Sequence, residues 1–260
     1  MKDCREEWYD KESKVAVTIV DVTGAAQELC RGHLCGPTAA HYLTEALASV
    51  ALIGAEMSER DETVILQAKC SGPLGGYNVE CTAQGTLRGY TEKKILDGFD
   101  GLGRPKDRMV LGDQQIQVTR SVPGKILSQG ISTSLDGYFA GSLQRKACLK
   151  VEAAVSDEVE VLGARGILIE DMPDRRGELV CCRVQNLKSL AVASRNVLKQ
   201  IGLEHAELRK TTPLSFACRC SPDRALAMLA ALSEEERKAL PPSIDITCHM
   251  CGKTFTVKTK

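Results

Sequence analysis

The chain carries no net charge, because 34 Lys and Arg residues are matched by 34 Asp and Glu. A nucleic-acid protein would show a basic excess or stripe, so this balance argues against such a partner and against electrostatic attraction to a membrane surface. Nor is there an uninterrupted apolar run near the roughly 20 residues that a spanning helix needs. The opening Met1-Lys-Asp-Cys-Arg-Glu-Glu-Trp8 is too charged for a signal peptide, which makes the cytoplasm the expected location. Internal repeats and low-complexity segments are missing. The glycine-rich Gly72-Pro-Leu-Gly-Gly76 lacks the G-x-x-x-x-G-K-[ST] pattern and a following helix, so it reads as a strand connection and not a phosphate cradle.

What is present is the periodicity of an α+β protein. Val15 to Val22 is a β-branched strand, and a short helix follows at Ala25 to Leu29. Pro37 opens a longer helix to about Met57, so rich in Ala and Leu that it should be buried on most sides. His41, within that helix, reads as a hydrogen-bonded core residue. Thr63 to Lys69, Tyr77 to Ala83 and Thr86 to Tyr90 form an antiparallel meander packed on the helix. Residues 97–107 read as a loop. Further strands are expected at Gln115 to Thr119, Cys148 to Ala154 and Gly163 to Glu170, with a short helix near Leu135 to Leu143. The charged run Asp174 to Glu178 reads as a domain edge. Leu187, Leu190, Ala191, Ser194, Val197, Leu198 and Ile201 then fall at helical spacing, predicting one amphipathic helix from Arg183 to Ile201 stopped by Gly202. That helix reads either as an ordinary docked element or as a detachable linker. The expected layout is an antiparallel-sheet domain packed on helices (1–174), a helical linker (175–212) and a small C-terminal domain (213–260).

Twelve cysteines need explaining, and with no signal peptide a disulfide framework is not expected. Cys4, Cys30, Cys35, Cys70, Cys81, Cys148, Cys181 and Cys182 read as buried apolar thiols without an assigned role. Cys70 and Cys81 are placed to face each other across a hairpin, and Cys181-Cys182 could form only a strained vicinal bond. The other four are grouped. Phe216-Ala-Cys218-Arg-Cys220-Ser-Pro222 and Cys248-His-Met-Cys251-Gly-Lys-Thr-Phe255 place a C-x-C and a C-x-x-C on either side of the 27 residues 221–247. Four thiolates suit a tetrahedral Zn²⁺ with no position left for water or substrate, so no catalytic residue is assigned.

From Pro213 onward the tail has 48 residues and few large apolar side chains, a size that usually needs a metal or disulfide to stay folded. Ser221 with Pro222 starts one helix and the Ser233/Glu236 capping box a second. Ile244 to Thr247 and Thr254 to Val257 flank the last two cysteines as strands, making a knuckle at a hairpin tip. Arg219, Arg224 and Lys253 are placed to offset the formal −2 charge of a Zn(Cys)₄ site, and His249 is surplus to four sulfurs. Because oxidants attack thiolates, metal binding, oxidation and folding of the tail are coupled. The spacing leaves a static staple and a responsive switch equally open. It also leaves a zinc-stapled adaptor, or a thiol oxidoreductase acting through Cys248 and Cys251, although no helix follows that pair to lower a thiol pKa.

The C-x-C-S start (Cys218, Cys220, Ser221) and C-x-x-C-x-x-x-F end (Cys248, Cys251, Phe255) resemble the heat shock protein 33 family of redox-regulated chaperones. So do Pro37-Thr-Ala-Ala40, the turn at Gly72 to Gly76, Gly85 to Tyr90, and Tyr138-Phe139 with Ser142 and Gln144. Leu143 stands where that last segment normally has Glu, Ala164-Arg165-Gly166 replaces a more glycine-rich stretch, and Phe255 takes a position often held by Tyr. The resemblance implies an ATP-independent holdase, inactive when reduced and zinc-bound. Oxidation would form disulfides within each of the pairs Cys218/Cys220 and Cys248/Cys251, release Zn²⁺, unfold the tail and loosen the linker. The exposed apolar surface, with homodimerisation, would then hold unfolding client proteins. It favours the switch over the staple and the detachable reading of the 183–201 segment.

Overall fold

A computed structural model describes residues 2–100, 106–172 and 178–259. The expected loop at 97–107 therefore lies partly outside the described residues, as does nearly all of the charged run expected as a domain edge at 174–178.

Two mostly antiparallel sheets enclose a helix. Strands β1 (Cys4–Asp10) and β2 (Val15–Asp21) form the first hairpin, followed by α1 (Thr23–His33) and α2 (Pro37–Ile53). The meander β3 (Thr63–Cys70), β4 (Gly76–Thr82) and β5 (Thr86–Thr91) comes next. After a single turn, α3 (Asp107–Val110), come β6 (Gln114–Val122), β7 (Lys125–Ser132), α4 (Leu135–Gly137) running into a π-helical turn at Tyr138–Ser142, β8 (Ala147–Val155) and β9 (Val161–Asp171). One sheet has the order β10-β1-β2-β9-β8, where β10 is Glu207–Pro213. The other runs β11-β5-β4-β3-β6-β7, where β11 is Ser215–Phe216 and pairs in parallel with β5.

The reason α2 carries so little charge is now visible. Its side chains share one core with Val20 of β2 and Leu168 of β9 on one side, and with Leu66, Val79 and Leu87 of the meander on the other. Asp100 accepts from the Thr38 backbone N–H (3.0 Å) at its N-terminus, taking up one of the donors that a helix leaves unpaired. His41 is buried as expected, but its Nε2, 3.1 Å from a Glu45 carboxylate oxygen, makes no hydrogen bond of proper geometry.

The five-stranded sheet is apolar on both faces. Val20 and Leu168 point to α2, while Val15, Val17, Ile19, Ile167 and Ile169 point the other way, as the two-residue period of a strand requires. A row of facing residues, Trp8–Val17–Ile169–Cys148, crosses four strands on this second face. It is covered by α5 (Glu178–Gln185), α6 (Ser194–Gln200) and the segment leading to β10, through Val180, Val184, Leu187, Leu190, Val197, Leu198, Ile201 and Leu203. Arg195 lies over the Trp8 ring, 4.5 Å from its centroid.

One continuous helix over 183–201 is not what forms. Leu187, Leu190, Val197, Leu198 and Ile201 are buried as expected, whereas Ala191 is exposed and Ser194 half-buried, and the backbone between α5 and α6 is irregular because β8 takes its hydrogen bonds. Lys150 Nζ donates to the Gln185 (3.1 Å) and Leu187 (2.5 Å) carbonyls. Glu152 accepts from the Leu190 N–H (2.5 Å) and the Ser189 hydroxyl (2.9 Å). Nor do Cys70 and Cys81 face each other: Cys81 sits opposite Val64, at the far end of the hairpin from Cys70. Cys181 and Cys182 are free thiols. Among the described residues no helix is long and apolar enough to cross a membrane.

Candidate metal centre

The tail builds its site from three local signals. Ser221 caps α7 (Pro222–Ala230) by accepting from the Arg224 N–H (3.2 Å), which turns the chain sharply after Cys220. A complete Ser233/Glu236 capping box starts α8 (Glu234–Ala239). Strands β12 (Ser243–Thr247) and β13 (Thr254–Lys258) then pair antiparallel, with Cys248 and Cys251 in the connecting turn. Gly252 closes that turn at φ +73°, where a side chain is strained, and its α-carbon faces the Gly32 carbonyl so closely that a Cβ would lie 2.0 Å from the oxygen. The buried apolar cluster of the tail is small: Ala225, Leu229 and Val257, with Leu232, Leu240, Ile244, Ile246 and Phe255 partly covered.

All four predicted ligands come together. The sulfurs of Cys218, Cys220, Cys248 and Cys251 lie within 4.8 Å of one another, with Cys218–Cys248 at 3.8 Å and Cys220–Cys251 at 3.4 Å. A regular tetrahedron with metal–sulfur bonds near 2.3 Å has edges of about 3.8 Å, so the donor set fits a four-sulfur Zn²⁺ in both chemistry and size. His249 is outside this cluster, edge-on to Tyr90 with ring centroids 5.9 Å apart.

The cation expected beside the sulfurs is a different one. Arg88 of β5 places Nη1 3.8 Å from Cys218 Sγ, while its Nη2 is 2.7 Å from a carboxylate oxygen of buried Glu80. Arg219 turns to the other Glu80 oxygen at 2.5 Å, and Lys253 lies 5.2 Å from the Phe255 ring centroid. Burial opposes ionising Cys218, yet the Cys220 backbone N–H, Arg88 and the neighbouring thiols pull its thiol down to about 7. Sequence reasoning missed Arg88 and Glu80. The alternation of the meander gave each a strand position, but not the fact that the edge beside β5 is where the tail docks.

That docking is made by backbone. The Gly89 N–H donates to the Met250 carbonyl (3.1 Å), the Ala217 N–H to Leu87 (3.1 Å), and the Ser215 N–H to Gly85 (3.0 Å). His33 Nε2, at the end of α1, lies 2.7 Å from the Gly89 carbonyl. The knuckle therefore rests on the C-terminal end of α1 and on β5, through the residues between its own ligands.

With this geometry in hand, comparison with known proteins places the chain. The sequence profile described as Hsp33 protein matches residues 7–258. The chain belongs to the Hsp33 family. Family relatives include a "33 kDa chaperonin" of Thermus thermophilus, 26% identical over 280 residues that cover 94% of this chain and 81% of the relative. Another "33 kDa chaperonin", from Symbiobacterium thermophilum, is 28% identical over 258 residues, 90% of this chain and 86% of the relative. The solved Hsp33 homologue of Thermotoga maritima has the same fold at 20% identity, with a TM-score of 0.88 over 100% of this chain and 96% of that one.

Proposed function

We propose that this chain is a redox-regulated, ATP-independent chaperone that holds unfolding proteins after its four-cysteine Zn²⁺ site is oxidised. The observation that carries this reading is the second apolar face of the five-stranded sheet, covered by α5, a broken segment and α6, which lead through β10 directly into the cysteine tail. The names of the relatives, 33 kDa chaperonin, support a chaperone. The working division is a body (1–174), a covering linker (175–212) and a metal tail (213–260).

In the reduced state Cys218, Cys220, Cys248 and Cys251 hold Zn²⁺, and the metal supplies most of the free energy that folds the tail. Oxidation converts the ligands to disulfides, and the family resemblance implies closure within Cys218/Cys220 and Cys248/Cys251. Once the tail unfolds, β10 keeps only its pairing with β1 at the sheet edge, and the linker loses the docked segment that follows β10. The uncovered sheet face then binds apolar segments of clients, and two opened copies associate as a homodimer. The reading places the protein in the cytoplasm, with no nucleic-acid or membrane partner and no catalytic role.

The test is suppression of aggregation of a thermally unfolding client, followed together with Zn²⁺ release, before and after peroxide or hypochlorite. Suppression should rise as Zn²⁺ leaves. Zn²⁺ release with unchanged aggregation refutes the reading. Binding only in the reduced, metal-loaded form would instead identify an adaptor, and catalytic disulfide turnover through Cys248 and Cys251 an oxidoreductase.

A further inference from the structure

Helix α1 ends in a motif that brings two other cysteines together. Leu34 takes the left-handed conformation (φ +55°), its N–H donates to the Arg31 carbonyl (3.2 Å), and the Cys35 N–H donates to the Cys30 carbonyl (3.2 Å). This is the paired-bond ending in which the side chains of the two residues joined by the outer bond meet over the last turn. Here those residues are Cys30 and Cys35. Their position usually holds an apolar contact; in this chain it holds two thiols, and both line the same cavity.

The surroundings of the pair are those of a reactive site. Cys30 Sγ lies 3.8 Å from Thr44 Oγ1 and 3.8 Å from the Ala40 carbonyl oxygen. Burial raises the thiols of Cys4, Cys70, Cys81, Cys148 and Cys181. Cys30 is shifted the other way, lowered by the Cys35 thiol and then by the Thr44 hydroxyl, while Cys35 is raised as its donor. Both are covered (0% and 7% exposed), but they line an open cavity of about 550 Å³ together with Arg31, Leu34, Glu158 and Val159. Leu34 stands on its rim, 80% exposed, in a backbone conformation that a leucine rarely adopts. Cavity access and a second cysteine at the closing contact are what separate a redox-active dithiol from a buried structural cysteine.

We propose that Cys30 and Cys35 form a second two-electron thiol couple, separate from the metal centre, that peroxide-class oxidants reach through this cavity. The Cys30 thiolate attacks one peroxide oxygen, forming an S–O bond and breaking O–O. The expelled hydroxide takes the proton lost by Cys30 and leaves as water. The Cys35 sulfur then attacks the Cys30 sulfenic sulfur, forming S–S and breaking S–O. The second hydroxide takes the Cys35 proton, so two thiols and one peroxide become one disulfide and two waters. Cys30 is the attacking residue and Cys35 the resolving one.

Arg31 lies between the two cysteines, which makes the test unambiguous. The full zinc-loaded chain is treated with hydrogen peroxide, blocked with N-ethylmaleimide and digested with trypsin without reduction. Peptides 15–31 and 32–60 contain Cys30 and Cys35 as their single cysteines. They should appear joined and two hydrogens lighter than their sum, and separate on reduction. With dimedone present, Cys35→Ser should be labelled on Cys30, whereas Cys30→Ser should leave Cys35 unlabelled. The couple is overturned if both peptides remain fully alkylated while the tail cysteines oxidise, or if dimedone marks Cys35 in place of Cys30. The wild-type map needs neither variant to fold. Zn²⁺ release without the joined peptides sinks this couple alone. Joined peptides without any gain in chaperone activity on Zn²⁺ release support the couple and count against the switch.

Discussion

Leu198 is the position at which the proposed opening can be forced without an oxidant. It has no exposed surface and lies in the cluster with Trp8, Val17 and Ile169, apart from the tail cluster of Ala225, Leu229 and Val257. Leu198→Ala removes buried methyl groups and leaves a cavity, a change that costs about 2–5 kcal/mol. If 178–206 opens as a unit, that cost falls on the docked state alone, and the open population rises roughly 30-fold to a few thousand-fold. The reduced, zinc-loaded variant should show faster amide exchange across 178–206 and slow the aggregation of a thermally unfolding client, with its Zn²⁺ content unchanged. Faster exchange with no effect on aggregation would show that the covered sheet face is not the client surface. Unchanged exchange would show that the segment does not open separately from the body.

Three further outcomes follow from contacts elsewhere. Chelating Zn²⁺ from the reduced protein should unfold residues 217–259 while the body stays folded, read by proteolysis and circular dichroism. The few buried side chains there contribute about 1.5–3 kcal/mol each, against about 10–16 kcal/mol for a structural zinc. In the reduced, zinc-loaded protein, Arg88→Met should speed the transfer of Zn²⁺ to a chromophoric chelator, since the sulfur cluster loses its neighbouring cation; an unchanged rate would remove Arg88 from the site. Glu62 is fully buried, and although burial opposes its charge, Arg120 at 2.6 Å and the Ser58 and Glu59 N–H groups hold its carboxyl below the ordinary 4.5. Its folded-state value being depressed, its stabilisation is present above pH 4.5 and is lost as pH falls through the folded value. Glu62→Gln should therefore lower stability at pH 7 by about 3–5 kcal/mol and remove that acid-side loss, as measured by urea unfolding.

The elements that could be read from sequence are those whose signals are local. Pro37 starts α2, Ser221 and Ser233 start the tail helices, and the paired cysteines mark the hairpin turn. What could not be read depends on distant neighbours. Strand β1 reads as a charged terminus, yet Arg5 within it is 1% exposed and donates to the Ala51 carbonyl at the end of α2 (3.2 Å). Strands β7 and β10 lie at sheet edges, and their mostly exposed residues offer no alternation to detect. At 183–201 the apolar spacing marked Leu187, Leu190, Val197, Leu198 and Ile201 correctly but misjudged the backbone, because two short helices and a strapped loop bury the large aliphatic positions as one helix would while leaving Ala191 exposed. The four cysteines that cluster were legible in full; their neighbouring charges were not, since Arg88 and Glu80 belong to a sheet 130 or more residues earlier in the chain.

The row Trp8–Val17–Ile169–Cys148 has a bearing on what a client would meet. In β2, and in β9 from Ala164 to Ile169, odd-numbered apolar residues serve one core and even-numbered ones the other, so slipping either strand by one residue would turn both faces inside out. Loss of the cover on one side cannot relax that pairing, because α2 still grips the reverse side. The uncovered surface is then a rigid, twisted plate of aliphatic and indole groups whose shape is set before any client arrives. Such a plate recognises apolar area and not sequence, which suits a protein that has to accept whatever chain happens to be unfolding.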